Sequence, residues 1–273
     1  MPASPVSRRI ELVVCDLAGT TVDYGSTTPI LGFAKVFARH GLTVSREELS
    51  GPMGKKKDDH IREVLHLPSV AAQWKKNRGA APTEDDVQAM LREFIGVDLE
   101  IIPKTSSPIT GVPEALRRLK ASGIKVAFTS GYPRVLADLC LANLRAADVP
   151  IDASVTADEV PAGRPAPDML LRVKAELGAG DVAGCVAVGD TEADIRAGKN
   201  AGFVTVGVCK SGMLVGLTEA EQRALPPAEL AARVAVARDK LFAFGADHVI
   251  DDASELPALM AELEAGRAPV SSR

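Results

Sequence analysis

The chain has 273 residues, 46% of them apolar, and a formal charge of −4. That length and apolar share fit one large domain, or a domain with an insertion, around a substantial core. The weakly acidic balance gives no case for general binding to nucleic acid or a membrane surface, and no apolar run is long enough to span a bilayer.

Residues 1–14 run directly into the first strand and carry no signal-peptide pattern. Leu12-Val13-Val14-Cys15 is short, apolar and partly β-branched, with a turn signal behind it, which predicts a buried strand. Asp16 then stands at the carboxyl end of that strand, where open α/β sheets bind ligands; the plain alternative is a turn cap. Gly19 allows a sharp turn, and Thr20 and Thr21 offer hydroxyls and amides to an anion.

From 25 to 103 the patterns are helical, at 29–40, 46–49, 57–65, 70–76 and 84–95, and no convincing strand interrupts them. This predicts an inserted α-helical cap. Beyond it, helices are expected over 112–122, 134–144, 167–177 and 192–201, with at least two more pieces within 219–244. Strands are expected over 124–129, 185–188, 203–208 and 247–250, and a weaker one over 153–156. Strands alternating with helices predict an α/β, doubly wound parallel sheet built from 1–24 and 104–273. The tail from 266 is expected to be disordered. The cysteines, Cys15, Cys140, Cys185 and Cys209, form no CxxC pair and read as reduced core residues of a cytoplasmic protein.

Three later strand ends carry chemistry. Thr129-Ser130-Gly131-Tyr132 joins a hydroxyl, a glycine and free amides at a helix start, a cradle for phosphate oxygens or else an ordinary N-cap. Arg164, in GRPAPD, is a planar permanent cation suited to a phosphoryl group, or else a solvated surface residue. Asp190 and Asp194 follow the CVAV strand. Magnesium takes a few carboxylates and fills its shell with water and substrate oxygens, so Asp16 with Asp190 forms a sensible pair. Asp194 either supports the metal or caps the next helix. These four pieces, in this order, resemble the haloacid dehalogenase superfamily of phosphotransferases. The resemblance spans essentially the whole chain. It implies a Rossmannoid core with a helical cap at the insertion, and an Asp nucleophile that forms an aspartyl-phosphate beside Mg2+.

Phosphatases of that superfamily usually have a second Asp two residues after the nucleophile, which protonates the leaving oxygen. Here that position is Ala18. A phosphate ester would lose roughly 10²–10⁴-fold from the missing acid. PMGKKKDDH, at 52–60, suggests a reaction that needs none. A lysine condenses with an aldehyde to an iminium, and this electron sink turns a carbanion leaving a P–C bond into an enamine. His60, three residues beyond Lys57 on the same helix face, is placed to shuttle protons. A solvated charged face is the plain alternative for this run.

DLAGTTVDYG (16–25), PMGKKKDDH (52–60), SGY (130–132), VPAGRP (160–165), GDTEADI (189–195), GLTEAE (216–221) and GADHVID (245–251) together resemble the phosphonoacetaldehyde hydrolases, or phosphonatases. By that resemblance Lys57 is the Schiff-base lysine, and Met53, His60 and Tyr132 surround the aldehyde. Asp16 is the nucleophile, while Asp190 and the Ala18 carbonyl hold magnesium. Ser130, Gly131 and Arg164 hold the phosphoryl oxygens. The implied reaction cleaves phosphonoacetaldehyde to acetaldehyde and phosphate, and the implied assembly is a homodimer. Ser26 stands where some members have Cys. Asp168 stands where the residue is often aromatic, giving PAPDM, closer to sugar- and glycolate-phosphate phosphatases. Two other readings stay open: a related phosphatase or hydrolase of another phosphonated aldehyde, which Asp168 favours, and a catalytically silent regulatory protein, which Ala18 favours.

Overall fold

The computed structural model describes residues 9–266, so the expectation for the tail lies outside it beyond Gly266. Six parallel strands make one sheet: β1 (Leu12–Cys15), β2 (Lys125–Ser130), β3 (Ala153–Thr156), β4 (Cys185–Gly189), β5 (Val204–Val208) and β6 (His248–Ile250). Their order is β3-β2-β1-β4-β5-β6. Cys15 is level with Phe128 on one side and Val188 on the other. The residues that follow these strands therefore emerge at a single edge, and β1 and β4 flank the point where the strand order reverses.

Five helices lie between β1 and the next βα unit: α1 (Thr27–Arg39), α2 (Arg46–Ser50), α3 (Lys57–Leu65), α4 (Pro68–Arg78) and α5 (Glu84–Thr105). Then come α6 (Val112–Ala121), α7 (Arg134–Ala146), α8 (Asp168–Glu176), α9 (Glu192–Ala201), α10 (Glu219–Ala224), α11 (Pro227–Phe244) and α12 (Leu256–Glu264).

Every residue of β1 is buried, as both faces of the sheet are covered. Val13 and Cys15 pack with Val126, Phe128, Val186 and Val188 under α6, α7 and α12. Leu12 and Val14, one residue out of phase, pack with Ala127, Cys185 and Ala187 under α8 and α9. The first of these cores continues without a break into Phe33, Ile61, Trp74, Met90 and Phe94 of the inserted helices. All four cysteines are free and buried.

Two helices depart from expectation. The helix begun at Glu84, whose Thr83 and Asp86 form a capping box, runs through Gly96 to Thr105 and so passes the expected boundary at 103. Val97 and Ile102 extend the buried stripe begun by Val87, Met90 and Phe94, and this burial outweighs the roughly 1 kcal/mol that a helical glycine costs. Helix α12 was not expected at all. Its Leu256, Leu259 and Met260 are spaced for one helical face and are buried, with the helix lying against α6.

Candidate active site

Asp16 is the first residue beyond β1, and its carboxylate sits at the centre of a buried charge cluster. Arg164 Nη1 lies 2.7 Å from Asp16 Oδ1 and 2.6 Å from Asp194 Oδ1. Its Nη2 donates to the Thr129 carbonyl and hydroxyl, at 3.0 and 2.8 Å. The guanidinium thus ties the ends of β1 and β2 to the start of α9. Asp190 accepts from the Met213 N–H at 2.7 Å and the Thr20 hydroxyl at 3.3 Å. Asp194 caps the next helix, as one of its two expected roles required, and also pairs with Arg164. One oxygen completes the capping box with Thr191 at the start of α9, and the other meets Arg164.

Carboxylate oxygens of Asp16, Asp190 and Asp194 all lie within 4.8 Å of one another. Three carboxylates against one guanidinium leave negative charge uncompensated in a buried place. Burial, with Asp194 and Asp16 as repelling neighbours, pushes the Asp190 carboxyl well above its usual range. Asp16 is pushed up to about 6, by burial first, with Arg164 pulling the other way. A hard cation with oxygen ligands would relieve this strain, so the set fits a metal ion.

Opposite this cluster are the inserted helices. Of the three consecutive lysines, Lys55 pairs with Glu63 at 2.6 Å and Lys56 with Asp58 at 3.5 Å, and both are partly exposed. Lys57 is buried at the first position of α3, and no carboxylate among the described residues pairs with it. Its Nζ lies 4.8 Å from the Tyr132 ring centre and 5.7 Å from that of Phe33. Burial lowers its pKa to about 8, against the pull of Asp98 and Asp16. At neutral pH a usable share of this amine is therefore uncharged and nucleophilic.

Asp16, Ala18, Ser26, Met53, Lys57, Ser130, Gly131, Tyr132, Arg164 and Asp190 line one cavity. At about 20 Å³ it holds roughly one water. A wider cavity of about 450 Å³ adjoins it, sharing Met53 and Thr191. Gly131 makes the close fit possible, since a Cβ there would lie 2.4 Å from the Lys55 carbonyl oxygen. The Ser130 hydroxyl already accepts from the Tyr132 N–H at 3.1 Å.

His60 and Asp168 are not in this lining. His60 is fully buried behind it, stacked on Phe33 with ring centres 3.9 Å apart. Neither ring nitrogen has a hydrogen bond of normal geometry. Burial, then the nearby Lys57, drives its pKa well down, so it is neutral. Asp168 opens α8, where it accepts from the Ala162 N–H at 3.2 Å. Sequence reasoning missed Asp98 of α5, which is fully buried near Lys57. It also missed that Thr129, singled out only as part of the phosphate cradle, anchors Arg164.

A family model described as haloacid dehalogenase-like hydrolase matches residues 10–202. The chain belongs to that family. A second model, of HAD-hydrolase-like proteins, matches 161–256. Within these hydrolases the chain groups with the phosphonoacetaldehyde hydrolases. It is 38% identical to proteins of that name from Bacillus cereus and from Bacillus cytotoxicus, over 94% of its length and 97% of theirs. A crystal structure of a phosphonoacetaldehyde hydrolase-like protein from Oleispira antarctica superposes with a TM-score of 0.93 at 34% identity, covering 97% of each chain. This haloacid dehalogenase-like hydrolase is therefore an enzyme, with an acidic triad able to hold a metal ion. No described helix is long and apolar enough to cross a membrane.

Proposed function

We propose that this hydrolase cleaves the P–C bond of phosphonoacetaldehyde, giving acetaldehyde and phosphate. The observation that carries the reading is that Lys57 and Asp16 line one cavity in which Ala18 stands where related phosphatases place their general acid. A phosphate ester would need that acid; a carbanion captured by an iminium does not.

Lys57 condenses with the aldehyde and releases water. Asp16 attacks phosphorus, and the P–C electron pair moves into the iminium, leaving an enamine on Lys57 and an aspartyl-phosphate on Asp16. The enamine takes a proton on carbon and hydrolyses to acetaldehyde, and water clears the phosphate. Arg164, Ser130 and Gly131 hold the phosphoryl oxygens, while Met53 and Tyr132 wall the aldehyde. His60 supplies a neutral base one helical turn from Lys57. Magnesium would be held by Asp16, Asp190 and the Ala18 carbonyl, with Asp194 alongside, and when bound it offsets phosphoryl charge. Asp168 gives no support to a sugar-phosphate substrate, because its side chain holds the Ala162 N–H of the loop before α8 and does not line the cavity.

In this reading residues 25–103 act as a cap. A cavity of about 20 Å³ cannot admit the substrate, so the cap lifts for entry and closes to exclude water. Asp23 and Ser26, both with positive φ at the entry to α1, mark one hinge. A homodimer in the cytoplasm completes the proposal, following the family resemblance. Borohydride added with phosphonoacetaldehyde tests the chemistry. A reduced two-carbon adduct on Lys57 is expected by peptide mapping; an adduct on Lys55 or Lys56, or none, contradicts it.

A further inference from the structure

Helix α5 carries a carboxylate with no evident structural purpose. Asp98 is fully buried, and neither of its oxygens has a hydrogen bond of normal geometry. The Tyr132 hydroxyl acts on it as a weak hydrogen-bond partner outside normal geometry, and that hydroxyl is also buried with no bond of normal geometry.

The surroundings are also fitted to this carboxylate. A Cβ on Gly32 of α1 would lie 2.1 Å from Asp98 Oδ1, so a glycine inside a helix clears its place. Phe33 stacks on Phe94 at 4.2 Å, and Phe94 on Tyr132 at 6.4 Å, making an aromatic box. The Lys57 nitrogen faces two of those rings. Lys57 is the strongest opposite charge acting on Asp98, and Asp98 is the strongest acting on Lys57, although the two stand beyond ion-pair distance.

We propose that Asp98 is the counter-charge to the Lys57 nitrogen, a positioning residue that sustains the cationic ammonium and iminium states of that lysine inside the aromatic box. The inference rests on the iminium reading above. Condensation of the ammonium with an aldehyde gives an iminium and one water: four hydrogens and one positive charge stand on each side. One fixed carboxylate therefore serves both states, and its distance from nitrogen leaves the reacting carbon uncrowded. Lys57 is also faced by Asp16, Asp194, Arg164 and the neutral His60, and Asp98 by Tyr132, Asp23 and Lys35. Asp98 is the carboxylate on the cap side of Lys57.

The test is the pH dependence of borohydride trapping by phosphonoacetaldehyde, in magnesium buffer, for wild type, Asp98→Asn and Asp98→Glu. In Asp98→Asn the limb that rises as Lys57 deprotonates moves to lower pH by about one unit, and the trapped plateau falls about tenfold. Asp98→Glu keeps the wild-type limb. Loss of packing alone would lower the plateau without moving the limb. Trapping of wild type on Lys57 with an unchanged limb and plateau in Asp98→Asn overturns the counter-charge and leaves the iminium standing. No wild-type adduct on Lys57 overturns both. Asn is isosteric and removes a buried charge, so its melting temperature is not lower than wild type; a marked fall contradicts the assignment.

Discussion

Asp16 is held by a buried cation, Arg164, that the proposed mechanism also assigns to the phosphoryl group, and the consequences are measurable. Asp16→Asn should lose activity by roughly 10⁴-fold or more, because in the proposed mechanism the nucleophile and one metal ligand disappear together. Asp194 has a different standing, since its two oxygens are divided between the α9 cap and Arg164. Asp194→Asn is expected to raise the magnesium concentration needed for half activity by about 10–100-fold. At Asp98 the argument is one of stability. Burial holds its carboxyl up near 7, above the ordinary value, so the folded state binds a proton that the unfolded state releases from about pH 4 upward. Stability from this group is present at low pH and is lost as pH rises through about 7. Asp98→Asn should therefore melt above wild type at pH near 8, by on the order of 1–3 kcal/mol, with the difference vanishing toward pH near 4. Thermal scans at the two pH values decide it. Asp98 escaped the sequence because the expected helix stopped at 95. The signal was available all the same: Phe94, Asp98 and Ile102 recur every fourth residue, so a carboxylate interrupts an apolar face.

At the scale of elements, the functional strands were the most legible parts, since buried parallel strands read as short unbroken apolar runs ended by turn residues. Asp16 and Asp190 were found because they follow such runs. The pairing of Arg164 with both Asp16 and Asp194 was not readable, because it depends on how the 157–167 segment crosses the sheet edge. Helix α12 was also missed, its short apolar run following strand β6 with only three residues of 3-10 helix, Ala253–Glu255, before it. The seam between inserted helices and sheet gives a further prediction. Gly131→Ala would push a methyl against the Lys55 carbonyl, a clash that the proposed cap opening would relieve. Turnover should fall by about 10²-fold through misplacement of Lys57, while the melting temperature shifts little. A large loss of stability with normal turnover would contradict this.

At the scale of the whole molecule, a metal bound by the acidic cluster would be coupled to the fold. Asp16 and Asp190 both have raised carboxyl pKa values without metal, so their burial opposes folding increasingly as pH rises through about 6. Magnesium should raise the melting temperature clearly at pH near 8 and hardly at all at pH near 5, where protons already relieve the repulsion. The fold class could be read from one sequence because short apolar runs alternate with helical patterns, and Asp16, Ser130 and Lys57 stood out because they lie at a strand end or a helix start. What lay beyond reading was how tightly the parts close: the single-water cavity, and the burial of one lysine among three.

The most direct measurement is turnover of phosphonoacetaldehyde in magnesium, followed as released acetaldehyde by a coupled dehydrogenase, for wild type and Lys57→Arg side by side. Arginine keeps the charge and cannot form an iminium. Turnover in wild type with none in Lys57→Arg is the predicted result. Equal turnover in both, or activity only on phosphate esters, would contradict P–C cleavage through Lys57.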